Sequence, residues 1–343
     1  SVGLEQMIPK ENYTMALAVF SLLFFAAVLF FSLRPGEILV WIGKVLNPLF
    51  LCFLAILVVR ALISPMGEVQ MMEAEGAYAS GAFFTGVLEG YNTMDALASL
   101  AFGIIVVNVI RGLGVEEPEH TAKNTVKAGI FSSLLMAAIY LLVTLVGAQS
   151  RAVIGVSENG GVALAGIAEH YFGAAGALIL AATVTLACLK TAVGLITSCG
   201  ETFEEMVPKG PSYKVWAVGF CVISFVIANL GLNSIIAYSV PVLMFLYPLA
   251  ITLILLTIFG KCFGNDAVMY RWVTGFTAVA SVVDFVNALP EAAQKFLHLG
   301  TFVETAKSIL PFADLGFGWV CPALLGLVIG TVHVMIRKKE VRG

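Results

Sequence analysis

The sequence predicts an all-α, polytopic membrane protein, and three observations carry that prediction. Of 343 residues, 59% are hydrophobic and only 12% are charged. Apolar runs about as long as a bilayer crossing recur along the chain. The basic residues between those runs fall mostly on alternate loops. A soluble domain carries about 25% charged residues. So few charges leave most of the apolar surface to face lipid. The net charge of −3 points to no nucleic-acid partner. The chain opens on a polar stretch, Ser1 to Asn12, without a Met or a signal peptide, so an absent N-terminal part is expected.

A hydrocarbon core of roughly 30 Å needs about 20 apolar helical residues. Nine segments meet that rule in chain order: 13–33, 38–63, 82–110, 127–148, 174–200, 214–232, 235–259, 272–289 and 316–336. The turn Gly231-Leu232-Asn233 joins two antiparallel spans. The segments 82–110 and 174–200 exceed one straight crossing, so each is expected to be tilted, broken or extended beyond the membrane. With Ser1 to Asn12 outside, thirteen Lys and Arg residues fall inside and five outside, and Lys190 within a span completes the nineteen. The positive-inside rule then places the tail Arg337-Lys338-Lys339 in the cytoplasm. In the outer loop 291–310, Phe296, Leu299, Val303, Ala306 and Leu310 recur at helical spacing, which predicts a helix on the outer surface. The outer loop 150–173 carries the turn signal Asn159-Gly160-Gly161.

Polar groups inside spans are expensive in hydrocarbon, and are kept where they line a cavity or pair with each other. The strongest such run is Glu89-Gly90-Tyr91-Asn92-Thr93-Met94-Asp95, set between Phe83-Phe84 and a long apolar stretch. It predicts a discontinuous helix whose freed backbone groups bind a substrate. The alternative is that 82–92 is an outer entry segment and the span begins near Asp95. A second run holds Thr183, Thr191 and Ser198 on one helical face, with Lys190 far from either surface. Lys190 reads as functional, or as the structural partner of a span acid such as Asp95. Pro48, Pro241 and Tyr247-Pro248 predict kinks, either lining a path or serving packing. Gly86-x-x-x-Gly90 and Gly326-x-x-x-Gly330 are helix-packing spacings. Asp284 and Asn287, near the outer end of their span, read as hydrated. Cys52, Cys188, Cys199, Cys221, Cys262 and Cys321 form no Cys-x-x-Cys pair and read as buried small hydrophobes. His120, His170, His298 and His333 show no metal spacing, and no catalytic motif is present, so an enzyme is not expected.

The stretch from Leu88 through Glu89-Gly90-Tyr91-Asn92-Thr93-Met94-Asp95 to Gly103 resembles the signature of the bacterial branched-chain amino acid:cation symporters. So do Leu186-Ala187-Cys188-Leu189-Lys190-Thr191, Asn229-Leu230-Gly231-Leu232, and Tyr238-Ser239-Val240-Pro241 through Tyr247-Pro248. The resemblance runs from about residue 13 to the end. It implies a twelve-span protein of leucine-transporter-type inverted-repeat fold, of which this chain holds the fourth to twelfth spans. The chain would then be a single transmembrane transporter domain, 1–343. Within it, 13–63 would end the first repeat, 82–259 would form the second, and 272–336 would add two C-terminal spans. The missing first spans would carry half of the substrate site.

The resemblance further implies import of leucine, isoleucine or valine across the cell membrane by sodium symport, with an amino-acid substrate, the lipid bilayer as surroundings and no cofactor beyond the coupling ion. Substrate is expected at Gly90, Tyr91, Asn92, Thr93, Met94 and Phe102. Ion coupling is expected at Glu89, Asp95, Ala187, Lys190 and Thr191, with Ala187 and Thr191 as the sodium ligands. Lys190 departs from the relatives' sodium pattern; its ammonium group would stand where the ion sits, in which case the protein would couple to protons or lack that one sodium site. The alternatives are a proton-coupled amino-acid carrier of the same fold with other substrates and, from another class, a non-transporting sensor or a channel.

Overall fold

A computed structural model describes residues 10–34, 37–114 and 117–340; the polar start at residues 1–9 and Arg342 of the tail lie outside them. The described chain is helical, with no strand. Its helices are α1 (Tyr13–Ser32), α2 (Glu37–Ile63), α3 (Tyr78–Asn92), α4 (Asp95–Gly112), α5 (Pro118–Ile154), α6 (Gly160–Met206), α7 (Tyr213–Ala228), α8 (Leu232–Ile258), α9 (Ala267–Ala288), α10 (Glu291–Phe296), α11 (Gly300–Ile309) and α12 (Val320–Glu340). Among them, α1, α5, α6, α8 and α12 are long and apolar enough to cross a membrane, by length and composition. The Pro48–Ile63 part of α2 and all of α7 are shorter apolar helices. The 82–110 segment is divided between α3 and α4.

The chain forms two compact units. The first comprises residues 1–73 and 101–233, the second 74–100 and 234–343. In the first unit α6 is the shared element. Its N-terminal part packs Ala165, Ile167 and Ala168 with Leu57 and Ala61 of α2 and Val146 of α5. Its C-terminal part packs Val193 and Ile196 with Val28 of α1 and Ala217 and Cys221 of α7. Where a loop was expected up to residue 173, the chain is already helical from Gly160, because the Asn159 side chain accepts a hydrogen bond from the Val162 amide at 3.1 Å and caps the helix. The helix breaks at Gly173, with φ 62°, a conformation that costs glycine little. The fold-back leaves no room for a side chain on Gly176, where a Cβ would lie 2.5 Å from the Ala168 carbonyl oxygen. Ser21 Oγ donates to Asn229 Oδ1 at 3.1 Å, and the Tyr213 hydroxyl donates to the Ser32 carbonyl at 2.7 Å, tying the middle and the C-terminal end of α1 to the two ends of α7.

In the second unit α9 and α12 run antiparallel in close contact. Gly326 is why: a Cβ there would sit 2.8 Å from the Trp272 carbonyl oxygen, so only hydrogen lets the backbones approach this far. Gly330 meets Met269 one turn on. The other glycine pair of the sequence, Gly86 and Gly90, faces nothing within 4 Å, so the same spacing does not pack there. Leu256 of α8, Met269, Val273 and Ala280 of α9, and Trp319 and Ala323 form the core. The outer-surface helix expected over 291–310 is two short helices, α10 and α11, parted at His298, whose φ is 53°. Of its expected apolar face, Val303 is buried and Phe296 is exposed. The cysteines also differ from expectation. Only Cys221 is buried; Cys52, Cys188 and Cys262 are exposed, and Cys199 and Cys321 are intermediate.

Candidate functional site

The polar run of α3 ends in a break. Asn92 is the last helical residue, Thr93 keeps a helical φ of −70°, and Met94 turns to φ 58° before α4 starts at Asp95. The chain therefore departs from helical geometry at one residue, with helix on both sides. A side chain other than Gly, Asn or Asp pays about 1–2 kcal/mol for this left-handed conformation, so the surrounding structure must hold it. Local bonds do so. The Met94 amide donates to the Tyr91 carbonyl at 3.1 Å, and the Ala98 amide donates to the Met94 carbonyl at 2.8 Å, which makes Met94 the cap of α4. The Thr93 hydroxyl lies 2.8 Å from the Gly90 carbonyl oxygen and 3.0 Å from Asp95 Oδ2, so its single proton bridges the break. Asp95 sits in the first turn of α4, where a carboxylate opposes the positive end of the helix dipole.

Around the break, the Asn92 amide nitrogen donates to Glu89 Oε2 at 2.7 Å, while Asn92 Oδ1 is buried without a hydrogen-bond partner. Glu89, Gly90, Thr93 and Met94 are exposed, and Asn92 and Asp95 are half-buried. Tyr91 points the other way. It is buried, and its ring stacks on Tyr247 with centroids 4.4 Å apart and planes 8° apart. The Tyr247 phenol lies beside the Ala96 amide and within electrostatic reach of Asp95, at the start of α4. Pro241 and Pro248 are fully buried in α8, and the Thr252 hydroxyl lies 2.9 Å from the Pro248 carbonyl oxygen. The prolines thus belong to the packed side of α8, next to the stacked tyrosine.

The remaining expected residues lie in the first unit. Phe102 packs its ring edge on α6, 3.0 Å from where a Cβ on Gly194 would be. The Thr191 hydroxyl donates to the Ala187 carbonyl at 3.2 Å, which brings the two expected ion ligands together on one turn. Lys190 is half-buried on the same helix. Among the described residues, no group of three or more His, Cys, Asp and Glu is arranged to hold a metal.

One residue read as hydrated is not. Asp284 is only 5% exposed, and its Oδ2 has no hydrogen-bond partner. Thr277 and Ser281, both fully buried, precede it at positions i−7 and i−3 on α9. That 3–4 spacing of polar residues in an apolar span was visible in the sequence. What hides its meaning in the sequence is nearness to the span's end, which predicts hydration.

Over residues 1–337 the chain matches the family described as "Branched-chain amino acid transport protein". It is 49% identical over 339 residues to the branched-chain amino acid permease BrnQ of Lactobacillus delbrueckii subsp. lactis, covering 98% of this chain and 75% of that protein. It is 36% identical to BrnQ of Bacillus subtilis, with the same two coverages. It is 35% identical to the branched-chain amino acid transport system 2 carrier protein of Pseudomonas aeruginosa, covering 92% of this chain and 70% of that one. No solved structure matches the chain. With apolar helices long enough to cross a membrane and a helix broken at Met94, the chain is a multi-pass membrane protein that belongs to the branched-chain amino acid transport protein family, a family of transporters and not of enzymes.

Proposed function

We propose that this protein imports leucine, isoleucine and valine across the bacterial plasma membrane by cation symport, with sodium as the coupling ion. The substrate class rests on the relatives' names. The observation that carries the mechanism is the break at Thr93–Met94. A broken helix frees backbone N–H and C=O groups midway along a span, and such groups can meet the charged ends of an amino acid where side chains would cost more. Gly90, Asn92, Thr93 and Met94 would line that contact, and Glu89 and Asp95 would set its charge. Tyr91 supports the break from its buried side. Phe102 and α6 belong to the apolar and ion-binding parts of the reading. The Ala187 carbonyl and the Thr191 hydroxyl, both oxygen ligands, suit a hard cation. The proposed fold is the leucine-transporter-type inverted repeat, with the chain's start outside and its tail in the cytoplasm. Substrate would cross by rocking of helix bundles about the break.

Proton coupling is the second reading, and Lys190 favours it: it lies between Ala187 and Thr191 in the chain, and an ammonium group near those oxygens would repel a sodium ion. Labelled leucine uptake by the full-length protein in membrane vesicles decides between them. Sodium symport requires uptake to fall to the gradient-free level when sodium is removed. Uptake that ignores sodium but collapses with the proton gradient replaces the ion. Lys190→Thr is expected to shift the dependence toward sodium; unaltered ion dependence in this variant would remove Lys190 from coupling.

A further inference from the structure

Beside the break, the second unit holds four buried groups that neither the substrate contact nor the sodium ligands use. Asp284 is 5% exposed, Tyr91 5%, Tyr247 3% and Trp319 8%. Asp284 Oδ2, the Tyr247 hydroxyl and the Trp319 indole nitrogen each lack a hydrogen-bond partner. The groups are neighbours. The Tyr91 phenol lies beside the Trp319 indole and within electrostatic reach of both Asp284 and Tyr247. Asp284 Oδ1 approaches Gly318, where a Cβ would lie 3.4 Å away, and Gly318 precedes Trp319 in the chain. Buried polar atoms are nearly always bonded, and an ionised carboxylate withdrawn from water costs several kcal/mol unless a cation accompanies it.

We propose that Asp284 is a proton-binding site, closed over by Tyr91 and Trp319, whose occupancy acts on the broken helix through Tyr91. The chemistry selects the ligand. An indole N–H only donates. It can bond a carboxylate that has lost its proton, but it offers nothing to a metal ion, and sodium would find one carboxylate and phenol oxygens where it needs a fuller oxygen shell. A proton needs only Asp284 itself.

No cation among the described neighbours takes the proton's place. From α3 and α8 the titratable groups facing the site are Tyr91 and Tyr247. On the other adjoining elements Lys307 pairs with Asp314 at 4.0 Å and Lys295 with Glu291 at 3.2 Å, and Glu304 is exposed. On α12, Arg337 pairs with Asp266 at 2.7 Å, and His333 Nδ1 accepts from the Trp272 indole at 3.0 Å. The link to the break is mechanical. Tyr91 is three residues before Met94, and its carbonyl accepts the Met94 amide. A change in the charge beside its phenol therefore acts on the residue that sets the turn.

The transport arm of the test rests on the carrier reading; the spectroscopic arm does not. In the full-length protein reconstituted in liposomes, pH-difference infrared spectra are expected to show a protonated-carboxyl band that titrates with pH and is lost in Asp284→Asn. Tyr91→Phe, which keeps the stacked ring and removes the hydroxyl, is expected to move the midpoint of that titration. The pH dependence of leucine uptake is expected to share that midpoint and to be lost in Asp284→Asn, while leucine exchange persists. A band that survives Asp284→Asn, a midpoint that Tyr91→Phe leaves in place, or a pH dependence of uptake intact in Asp284→Asn overturns the proposal. So does a band that sodium removes at constant pH, which would make the site a sodium site. If wild-type protein exchanges no leucine, the carrier reading falls, and the band alone decides Asp284.

Discussion

Met94 carries a strained turn, and its environment states the cost. Its φ of 58° is one that a β-branched side chain adopts only with added crowding. Met94→Ile is therefore expected to lower the thermal midpoint of the purified protein, by the equivalent of about 1 kcal/mol, whereas Met94→Asn, which tolerates the left-handed region, is expected to leave it near wild type. Equal midpoints for the two variants would mean that the turn relaxes without penalty. The same residue shows what the sequence could reveal. Glu89-Gly90-Tyr91-Asn92 made a break legible as a run of poor helix continuation between apolar stretches. It did not reveal that helix persists through Asn92 and that one residue makes the turn. That depends on the Thr93 hydroxyl bridging Gly90 and Asp95, a local bond that composition does not rank. Tyr91 is the counterpart. It reads as a substrate contact by position, yet its ring is turned into the stack with Tyr247, because burying an aromatic face against another is worth about 0.5–1.5 kcal/mol beyond the area it hides.

At the level of elements, close packing of helices depends on which glycines meet backbone. Gly326 faces the Trp272 carbonyl at a distance that excludes a Cβ, while Gly86 faces open space. Gly326→Val is expected to push α12 from α9 and to cost about 1–3 kcal/mol, the usual size of overpacking. Gly86→Ala is expected to leave stability unchanged or to raise it by up to about 1 kcal/mol through helix propensity. Thermal unfolding of the two variants side by side checks this, and a larger loss for Gly86→Ala would reverse the assignment. Both glycines sit in the same Gly-x-x-x-Gly spacing, so no reading of the sequence could separate them. The kink at Gly173 is hidden in the sequence for a related reason. A helix that folds back on itself keeps its apolar periodicity on both arms, and the turn signal at Asn159 predicts a loop where the residue caps a helix.

At the level of the whole molecule, the distribution of basic residues makes the orientation testable. Lys209, in the exposed turn after α6, and Lys295, on exposed α10, are assigned to opposite sides of the membrane by the positive-inside rule. With the native cysteines replaced by Ser, Lys209→Cys is expected to react with an impermeant thiol reagent only from the cytoplasmic side, and Lys295→Cys only from outside. Labelling of both from one side would refute the orientation. The all-α character and the helix positions were legible because, in lipid, each span must satisfy its own backbone and announces itself by length and hydropathy. Eight of the nine expected segments fall on one helix each, with ends within about five residues of the reading or extending beyond it, and the ninth, 82–110, is divided between α3 and α4.

The sequence by itself determined that the protein is a helical membrane protein, where its polar interruptions fall, and which family it belongs to. Those properties are written in composition, in periodicity and in short runs of residues. Only the tertiary structure decided which polar groups are buried together. Asp284 lies nearly 200 residues from Tyr91 in the chain, and each looked separately solvated or separately functional. Their burial in one unit follows from how α3, α8, α9 and α12 pack. Burial of a polar group is a property of its neighbours across space, and neighbours distant in sequence leave no mark on the run of residues around either one.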